Sequence, residues 1–487
     1  MMKDKTLNRL LLFLGFLLLL FYYGLVHPLV PFDTDDWINM TLRRPLYPSL
    51  NCWNPTKVFP ERLETAAAAF AARAVAPVVG DYVKAIIMVN AIIVAGFISL
   101  YLYLIQRLLT FRFRLSQTCS FCIVVLFALM HFLLLKTRAA GNDYLWYAED
   151  ANCYYHYIVS NLLNACLVIW LMLHGARNLG IWRAVILCIV TYFALCSNLY
   201  STVILIAYVG SSLVYDIVNC DKKESGWMGK YIRRNVYFLG VVVLWLGVQL
   251  IEVSGIRANA YGHVDDSLSE YMALSIQHFL ATNYNFAIVF GAALVVICAK
   301  IHDLIAHQHK TLHIGTRQAI LLLAAILSLA YLILLSAKVK PENMQKGQVI
   351  FSYAFFLLLL SALSLAYLCT KFKAVRYLLP LAIFITAFSV NSYRTAFRGV
   401  QGQFGITEYE CIDHDRDIID QVRYAHALKQ DSVVIRVPHF DVKDNWPLAF
   451  DCGWAVGVTL QRHHLLNRHL KTTFALDNVN SYISVAP

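Results

Sequence analysis

Long runs of apolar residues alternate with short polar stretches along most of the chain. Each run is close to the roughly 20 residues that a helix needs to cross a bilayer. The runs are continuous, which excludes the alternating pattern of an outer-membrane β-barrel. The pattern predicts an all-α polytopic membrane protein with about eleven transmembrane helices. The predicted spans are 10–30, 83–105, 117–135, 158–174, 184–198, 201–218, 236–254, 279–299, 318–336, 350–369 and 377–393.

The end of the chain follows a different pattern. Residues 394–487 are much more polar, and a strand-like apolar run occupies 433–437. Such a pattern favours a small α+β domain. We therefore expect a transmembrane domain at 1–393, with a long first external loop at 31–82, and a C-terminal external domain at 394–487.

Composition and charge support a membrane protein. Hydrophobic residues make up 59% of the chain and charged residues 15%, whereas soluble domains have about 45–50% apolar and about 25% charged residues. The net charge of +11 comes from Lys and Arg scattered among short loops, so it indicates orientation and not a nucleic-acid partner. The distribution predicts a cytoplasmic N-terminus and, after an odd number of spans, a C-terminus outside.

Three carboxylates follow the first apolar run closely, at Asp33, Asp35 and Asp36. Ionisable groups are costly in hydrocarbon and tolerated among headgroups, so this position suits chemistry on a lipid-linked substrate. Repulsion among close carboxylates raises the pKa of at least one of them, which suits a general base near neutral pH. The alternative is a solvated, charged loop that pairs with itself.

The chemical interpretation gives each residue a role. Asp35 or Asp36 is the candidate general base, and Asp33 and Glu61 position the base or the acceptor. The candidate cations for a donor phosphate are Arg43, Arg44, Arg62, Lys338 and Lys340. The two lysines, predicted to lie at headgroup depth, also fit the role of snorkelling anchors.

A second acidic pair, Glu149 and Asp150, lies in the next external loop among aromatic residues at 146–147 and 154–157. Aromatic rings beside carboxylates are typical of sugar sites, where a ring stacks on the C–H face of a pyranose. Together with Trp37, this pair is a candidate for contacts with the acceptor or the sugar. The same aromatic residues also fit an interfacial belt.

The sequence identifies no certain cofactor. His263, Asp265 and Asp266 form a weak candidate site for a divalent metal. Two cysteine pairs are candidates for disulfides in an oxidising compartment, although spacing alone does not establish them. These pairs are Cys411 with Cys452 and Cys52 with Cys153.

An acidic motif after the first span, a helical first external loop, about eleven spans and an external C-terminal domain together resemble the GT-C superfamily of lipid-phosphate-sugar-dependent glycosyltransferases. Within it, the Asp-Asp-Trp at 35–37, the Trp-Asn-Pro at 53–55 and the Phe-Pro-Glu at 59–61 are similar to bacterial serotype-converting O-antigen glucosyltransferases. The architectural resemblance covers the whole chain, and the motif resemblance covers about residues 33–62.

This resemblance implies an inverting enzyme of the bacterial inner membrane that works on the periplasmic side. The implied donor is undecaprenyl-phosphate glucose and the implied acceptor a lipid-linked O-antigen chain, part of lipopolysaccharide assembly. The family's acceptor-activating carboxylate lies at the start of the first external loop, which maps onto Asp33, Asp35 or Asp36.

Two other functions stay open at the sequence level. An O-antigen polymerase also acts on lipid-linked glycans, but such polymerases usually place their large external loop mid-chain, and here the large loop is the first. A flippase or transporter of lipid-linked sugars predicts ionisable residues within spans and internal repeats. Glu252 is one of few such residues, and no inverted repeat is apparent.

Overall fold

The structure is a computed structural model that describes residues 2–133, 135–136, 142–148, 150–220, 226–261, 267–307, 316–391, 406–476 and 482–483, and it is mostly helical. A helix lies in each place where the apolar pattern predicts a span. These helices are Met2–Phe21, Tyr82–Phe113, Gln117–Phe132, Ser160–His174, Ile181–Leu195, Leu199–Val218, Trp227–Val253, Asn283–His307, Thr316–Val339, Gly347–Lys371 and Lys373–Asn391.

Within the described residues, seven helical segments are long and apolar enough to cross a membrane. They are Arg9–Val26, Tyr82–Phe113, Ala151–His174, Leu199–Val218, Trp227–Val253, Thr316–Val339 and Gly347–Lys371. Two further apolar helices, Gln117–Phe132 and Ile181–Leu195, have 16 and 15 residues, fewer than the roughly 20 of an upright span. The helical membrane class is confirmed, while the predicted count of about eleven spans is not.

Three π-helical turns lie within the loop at 31–82 or next to it. Tyr22–Val26 ends the first long helix, Ala71–Val75 lies within the loop, and Tyr154–Val159 begins the helix that continues to His174. Turns of this type widen a helix locally and are frequent at functional sites. The loop is therefore bordered by backbone that departs from the regular α-helix.

Two helices shape this loop. The first, Thr34–Asn39, is called the acidic helix, and it is capped by Asp33 in a reciprocal capping box with Asp36. The second, Val58–Phe70, is called the loop helix, and it carries Pro60 in its first turn as the sequence predicts. The remaining short helices are Ala76–Val79, Ala151–Cys153, Ile256–Tyr261 and Leu268–Leu280.

The C-terminal domain contains a β-α-β unit. Strands Ser432–Val437 and Lys471–Leu476 pair in parallel, and the helix Trp454–Arg462 lies in the connection between them. The helix packs so closely that a Cβ atom on Gly457 would lie 2.5 Å from the Leu470 carbonyl oxygen. The predicted strand at 433–437 is confirmed, and its parallel pairing follows from a connection long enough to hold a helix.

The remaining elements of the chain are short. The domain begins with the helix Glu408–Ala427, which precedes the first strand. A second parallel pair joins His439–Phe440 to Tyr482–Ile483, and an antiparallel pair elsewhere joins Leu135–Lys136 to Asn142–Asp143.

The first loop and the C-terminal domain share one hydrophobic core. Phe32 and Trp37 of the loop pack in the same buried cluster as Val422 and Leu460 of the domain. The Thr459 hydroxyl donates to the Trp37 carbonyl at 2.9 Å, across 422 residues of sequence. The acidic helix is therefore held in place by the last part of the chain.

Candidate functional site

Asp33 and Asp36 are buried and hold the acidic helix in position. The Asp33 carboxylate accepts a hydrogen bond from the Asp35 backbone N–H at 2.7 Å. The Asp36 carboxylate accepts from the backbone N–H groups of Asp33 at 3.2 Å and Asn152 at 2.6 Å. Asp36 thus joins the first loop to the start of the helix at 151–174.

Burial raises the pKa of Asp33 and the pKa of Asp36 well above the ordinary value of an aspartic acid. Repulsion from the nearby Asp150 carboxylate adds to burial in both cases. Asp150 is half-buried and caps the short helix Ala151–Cys153 by accepting from the Cys153 backbone N–H. Burial and repulsion therefore disfavour the ionisation of all these acids at once. The hydrogen bonds of Asp33 and Asp36 to backbone N–H groups hold the acidic helix in position.

Asp35 differs from its two neighbours because its side chain is exposed. Protein still surrounds it closely enough that burial raises its pKa, against the opposing effect of two cations, Lys57 and Arg257. It is thus an accessible carboxylate in the electrostatic field of a lysine and an arginine. This arrangement suits a group that accepts a proton beside a bound anion.

Lys57 is buried, and its Nζ lies 3.2 Å from His156 Nδ1. Burial, followed by the like charge of Arg257, lowers the pKa of Lys57 to about 7. Glu61 and Glu252 act in the opposite direction. The ammonium group therefore titrates in the neutral range, and bound negative charge favours its protonated form.

A chain of polar contacts fixes Arg257 relative to the loop. Arg257 Nη1 donates to Asn54 Oδ1 at 2.8 Å, and Asn54 Nδ2 donates to Glu61 Oε1 at 2.9 Å. The Thr56 hydroxyl donates to Glu252 Oε2 at 2.6 Å. The loop is thus tied to the end of the long helix Trp227–Val253 and to the residues that follow it.

Glu61 and Arg44 form a buried ion pair. Arg44 Nε lies 3.2 Å from Glu61 Oε2, and their side chains are 0% and 2% exposed. Burial raises the pKa of Glu61, and Arg44 opposes this most strongly. Through the hydrogen bond between Asn54 and Glu61, the ion pair is joined to the Arg257 network.

The other predicted site residues lie in different surroundings. Arg43 and Arg62 are exposed and line a cleft together with Arg44. Lys338 and Lys340 are exposed, near the end of the helix Thr316–Val339 and just before the 3₁₀ helix Pro341–Gln345. The structure therefore groups the arginines with the loop helix and places the lysines on a separate element.

Trp37 is 1% exposed, so its ring has no face open to a sugar in this conformation. Glu149, His263, Asp265 and Asp266 lie outside the described residues. Asp150 is the member of the second acidic pair that the structure brings to Asp33 and Asp36.

Sequence analysis assigned no individual role to Glu64 or His156, and it missed Arg257 altogether. Glu64 is buried, and burial raises its pKa well above the ordinary value, with Asp36 adding to the effect. Its position one turn after Glu61 was an available signal, because residues three apart share a helix face. No comparable signal linked Arg257 to the first loop.

A metal site and disulfides were the other candidates. Among the described residues, no group of three or more His, Cys, Asp and Glu side chains is arranged to hold a metal ion. No disulfide joins Cys52 to Cys153 or Cys411 to Cys452, so neither candidate pair is bonded.

The site thus combines an exposed carboxylate, two nearby cations and a buried acidic support. A carboxylate of this kind can remove a proton from a hydroxyl, and the cations can stabilise negative charge that develops on a leaving phosphate. The chain matches no protein-family model, no curated protein and no solved structure.

Proposed function

We propose that this protein is an inverting membrane glycosyltransferase. It moves a sugar, with glucose as the expected one, from a polyprenyl-phosphate donor to a lipid-linked O-antigen or similar glycan. The observation that carries the proposal is the exposed carboxylate of Asp35 in the field of Lys57 and Arg257, on the acidic helix that follows the first long apolar helix. A base beside phosphate-binding cations is the combination that glycosyl transfer from a lipid phosphate requires.

In the proposed reaction, an acceptor hydroxyl attacks the anomeric carbon of the donor sugar while Asp35 takes the hydroxyl proton. The bond between the anomeric carbon and the phosphate oxygen breaks, and the polyprenyl phosphate leaves with the bonding electron pair. A single displacement of this kind inverts the anomeric centre. Phosphate on a lipid is already a good leaving group, so the step needs a base more than an acid.

Lys57 and Arg257 are the cations proposed to hold the leaving phosphate. Both act electrostatically on Asp35, which puts them within range of a donor bound beside that base. Arg44 is less suited to this role because its guanidinium is already paired with the Glu61 carboxylate. The lysines at 338 and 340 stay candidates for contacts with a lipid phosphate at headgroup depth.

The proposed topology is that of a bacterial inner-membrane protein with about eleven spans. A helix at each predicted place supports this count. The positions of Lys and Arg support a cytoplasmic N-terminus and, with it, a first loop and a C-terminal domain on the periplasmic side. The shared core of loop and domain requires both to lie on the same side.

The proposal is tested with purified protein in nanodiscs, supplied with synthetic polyprenyl-phosphate glucose and a lipid-linked glycan. We expect a glycosidic product that mass spectrometry detects as the acceptor plus one hexose. A lipid transporter would move the donor between leaflets without forming product. A polymerase would lengthen the glycan by whole repeat units, so either result would contradict the proposal.

The rate should also depend on pH in a defined direction. Lys57 has a pKa of about 7 and loses its positive charge as pH rises, so kcat/KM should fall on the alkaline side of neutrality. In Lys57→Arg the guanidinium stays charged, so the alkaline decline should shift to higher pH. Lys84→Arg, at an exposed position, serves as the control. A profile identical in wild type and Lys57→Arg would rule out this role for Lys57.

A further inference from the structure

A cleft of about 740 Å³ lies between the loop helix and the helix Trp454–Arg462 of the C-terminal domain. We call it the arginine cleft. Its lining includes five arginines and a histidine, which are Arg43, Arg44, Arg62, Arg73, Arg462 and His463. Among the lining residues that the structure describes there is no Asp or Glu, and Asp35, Lys57 and Arg257 are not part of it. The cleft is therefore a second cationic site, separate from the proposed base.

Positive charge in the arginine cleft is poorly compensated. Burial lowers the pKa of Arg462, and the like charge of Arg43 lowers it further. Burial also lowers the pKa of His463 to about 4, with Arg73 and Arg462 among the cations that add to the effect. In the described part of the chain, no carboxylate pairs with Arg43 or Arg62. Repulsion of this kind is relieved by a bound anion.

Several of these side chains are held in place before any ligand binds. Arg73 Nη2 donates to the Arg462 carbonyl at 2.9 Å, and Arg462 Nη1 donates to Thr41 Oγ1 at 2.9 Å. Arg44 is buried, and its Nη1 has no hydrogen-bond partner among the described residues. Guanidinium groups fixed in this way match the oxygen atoms of phosphate, to which they donate paired hydrogen bonds.

The edge of the arginine cleft is apolar and lies against a predicted span. Pro45 lines the cleft, and the residues that follow it, Leu46 and Tyr47, are 55% and 65% exposed. The Leu46 carbonyl accepts a hydrogen bond from the Tyr192 hydroxyl, on the helix Ile181–Leu195, at 2.7 Å. Exposed apolar side chains beside a cationic cleft suit a ligand that has both a charged head and a lipid tail.

We propose that the arginine cleft binds the phosphate or diphosphate group of a membrane lipid. Arg44 is paired with Glu61, and the four other arginines of the lining, with no acidic residue among the described lining residues, favour a ligand with several negative charges over a single carboxylate. That this lipid is the glycan acceptor rests on the proposed function. The binding of phosphate itself does not depend on it.

The test measures binding of inorganic pyrophosphate to the full-length protein in phosphatidylcholine nanodiscs by calorimetry. Arg43→Gln combined with Arg62→Gln removes two exposed cations while leaving the described hydrogen bonds intact. We expect affinity to fall by about tenfold or more, since a hydrogen bond to a charged group contributes about 1.4 kcal/mol or more. Arg423→Gln, exposed on the C-terminal domain and outside the cleft, should bind like wild type. Unchanged affinity in the double variant would overturn the proposal.

A second arm identifies the source of the phosphate. Nanodiscs that contain phosphatidic acid should weaken the apparent affinity for pyrophosphate, because the lipid headgroup competes for the cleft. Equal affinity in both nanodiscs would overturn the lipid assignment. If the double variant loses pyrophosphate binding while wild type forms no glycosidic product, phosphate binding by the arginine cleft is supported and the proposed function is wrong.

Discussion

Asp35→Asn is expected to reduce glycosyl transfer by about 10²–10⁴-fold, the usual contribution of a positioned general base. The substitution removes the proton acceptor but keeps the shape of the side chain. Because Asp35 is exposed, the fold should tolerate the change. The measurement is the initial rate of product formation by purified protein under saturating donor, alongside its unfolding temperature in detergent.

Two variants separate this role from structural damage. Asp36→Asn should lower the unfolding temperature, because the carboxylate accepts from the backbone N–H groups of Asp33 and Asn152, and one of these would then face an amide nitrogen, which cannot accept. Asp420→Asn, an exposed acid on the C-terminal domain, should change neither rate nor stability. Full activity in Asp35→Asn would remove Asp35 from the mechanism.

Glu61→Gln should destabilise the protein by about 3–5 kcal/mol, because it leaves the buried guanidinium of Arg44 without a counter-charge. The amide can keep the hydrogen bond with Asn54, so the loss of stability reports on the ion pair alone. Chemical unfolding followed by tryptophan fluorescence gives the free-energy difference. Activity should fall in parallel with the folded fraction.

Replacing both residues of this ion pair separates the effect of charge on stability from the effect of packing. Arg44→Met combined with Glu61→Leu should recover much of the stability, since two apolar side chains leave no buried charge unpaired. Asp431→Asn breaks an exposed ion pair with Arg468 and should have little effect on stability. If Glu61→Gln behaved like Asp431→Asn, the buried pair would have no structural importance.

The apolar pattern predicted where the long helices lie because membrane helices carry their signal locally, in length and hydropathy. The capping of the acidic helix is also local, so the position of Asp33 to Asp36 at its start follows from the sequence. Arg257 is different. It joins the loop through Asn54, about two hundred positions earlier in the chain, and no periodic pattern records such a contact.

Trp37 shows the same limit of sequence patterns, here for a residue that was predicted to contact the substrate. A tryptophan directly after an acidic motif has the same sequence pattern whether it stacks on a sugar or packs against a domain. Here the ring is buried in a core that includes Val422 and Leu460. Its surroundings are set by residues nearly a whole chain length away, which hydropathy along the sequence does not encode.

The bond between Thr459 and Trp37 also bears on the order of events during synthesis. The acidic helix leaves the ribosome well before its packing partner, because 422 residues separate Trp37 from Thr459. Nascent chains arrested before residue 454 should therefore expose the Trp37 ring to quenchers and proteases. Packing of the acidic helix is therefore coupled to synthesis of the helix Trp454–Arg462, and a stop codon before residue 454 would leave the Trp37 carbonyl without the hydrogen bond from Thr459.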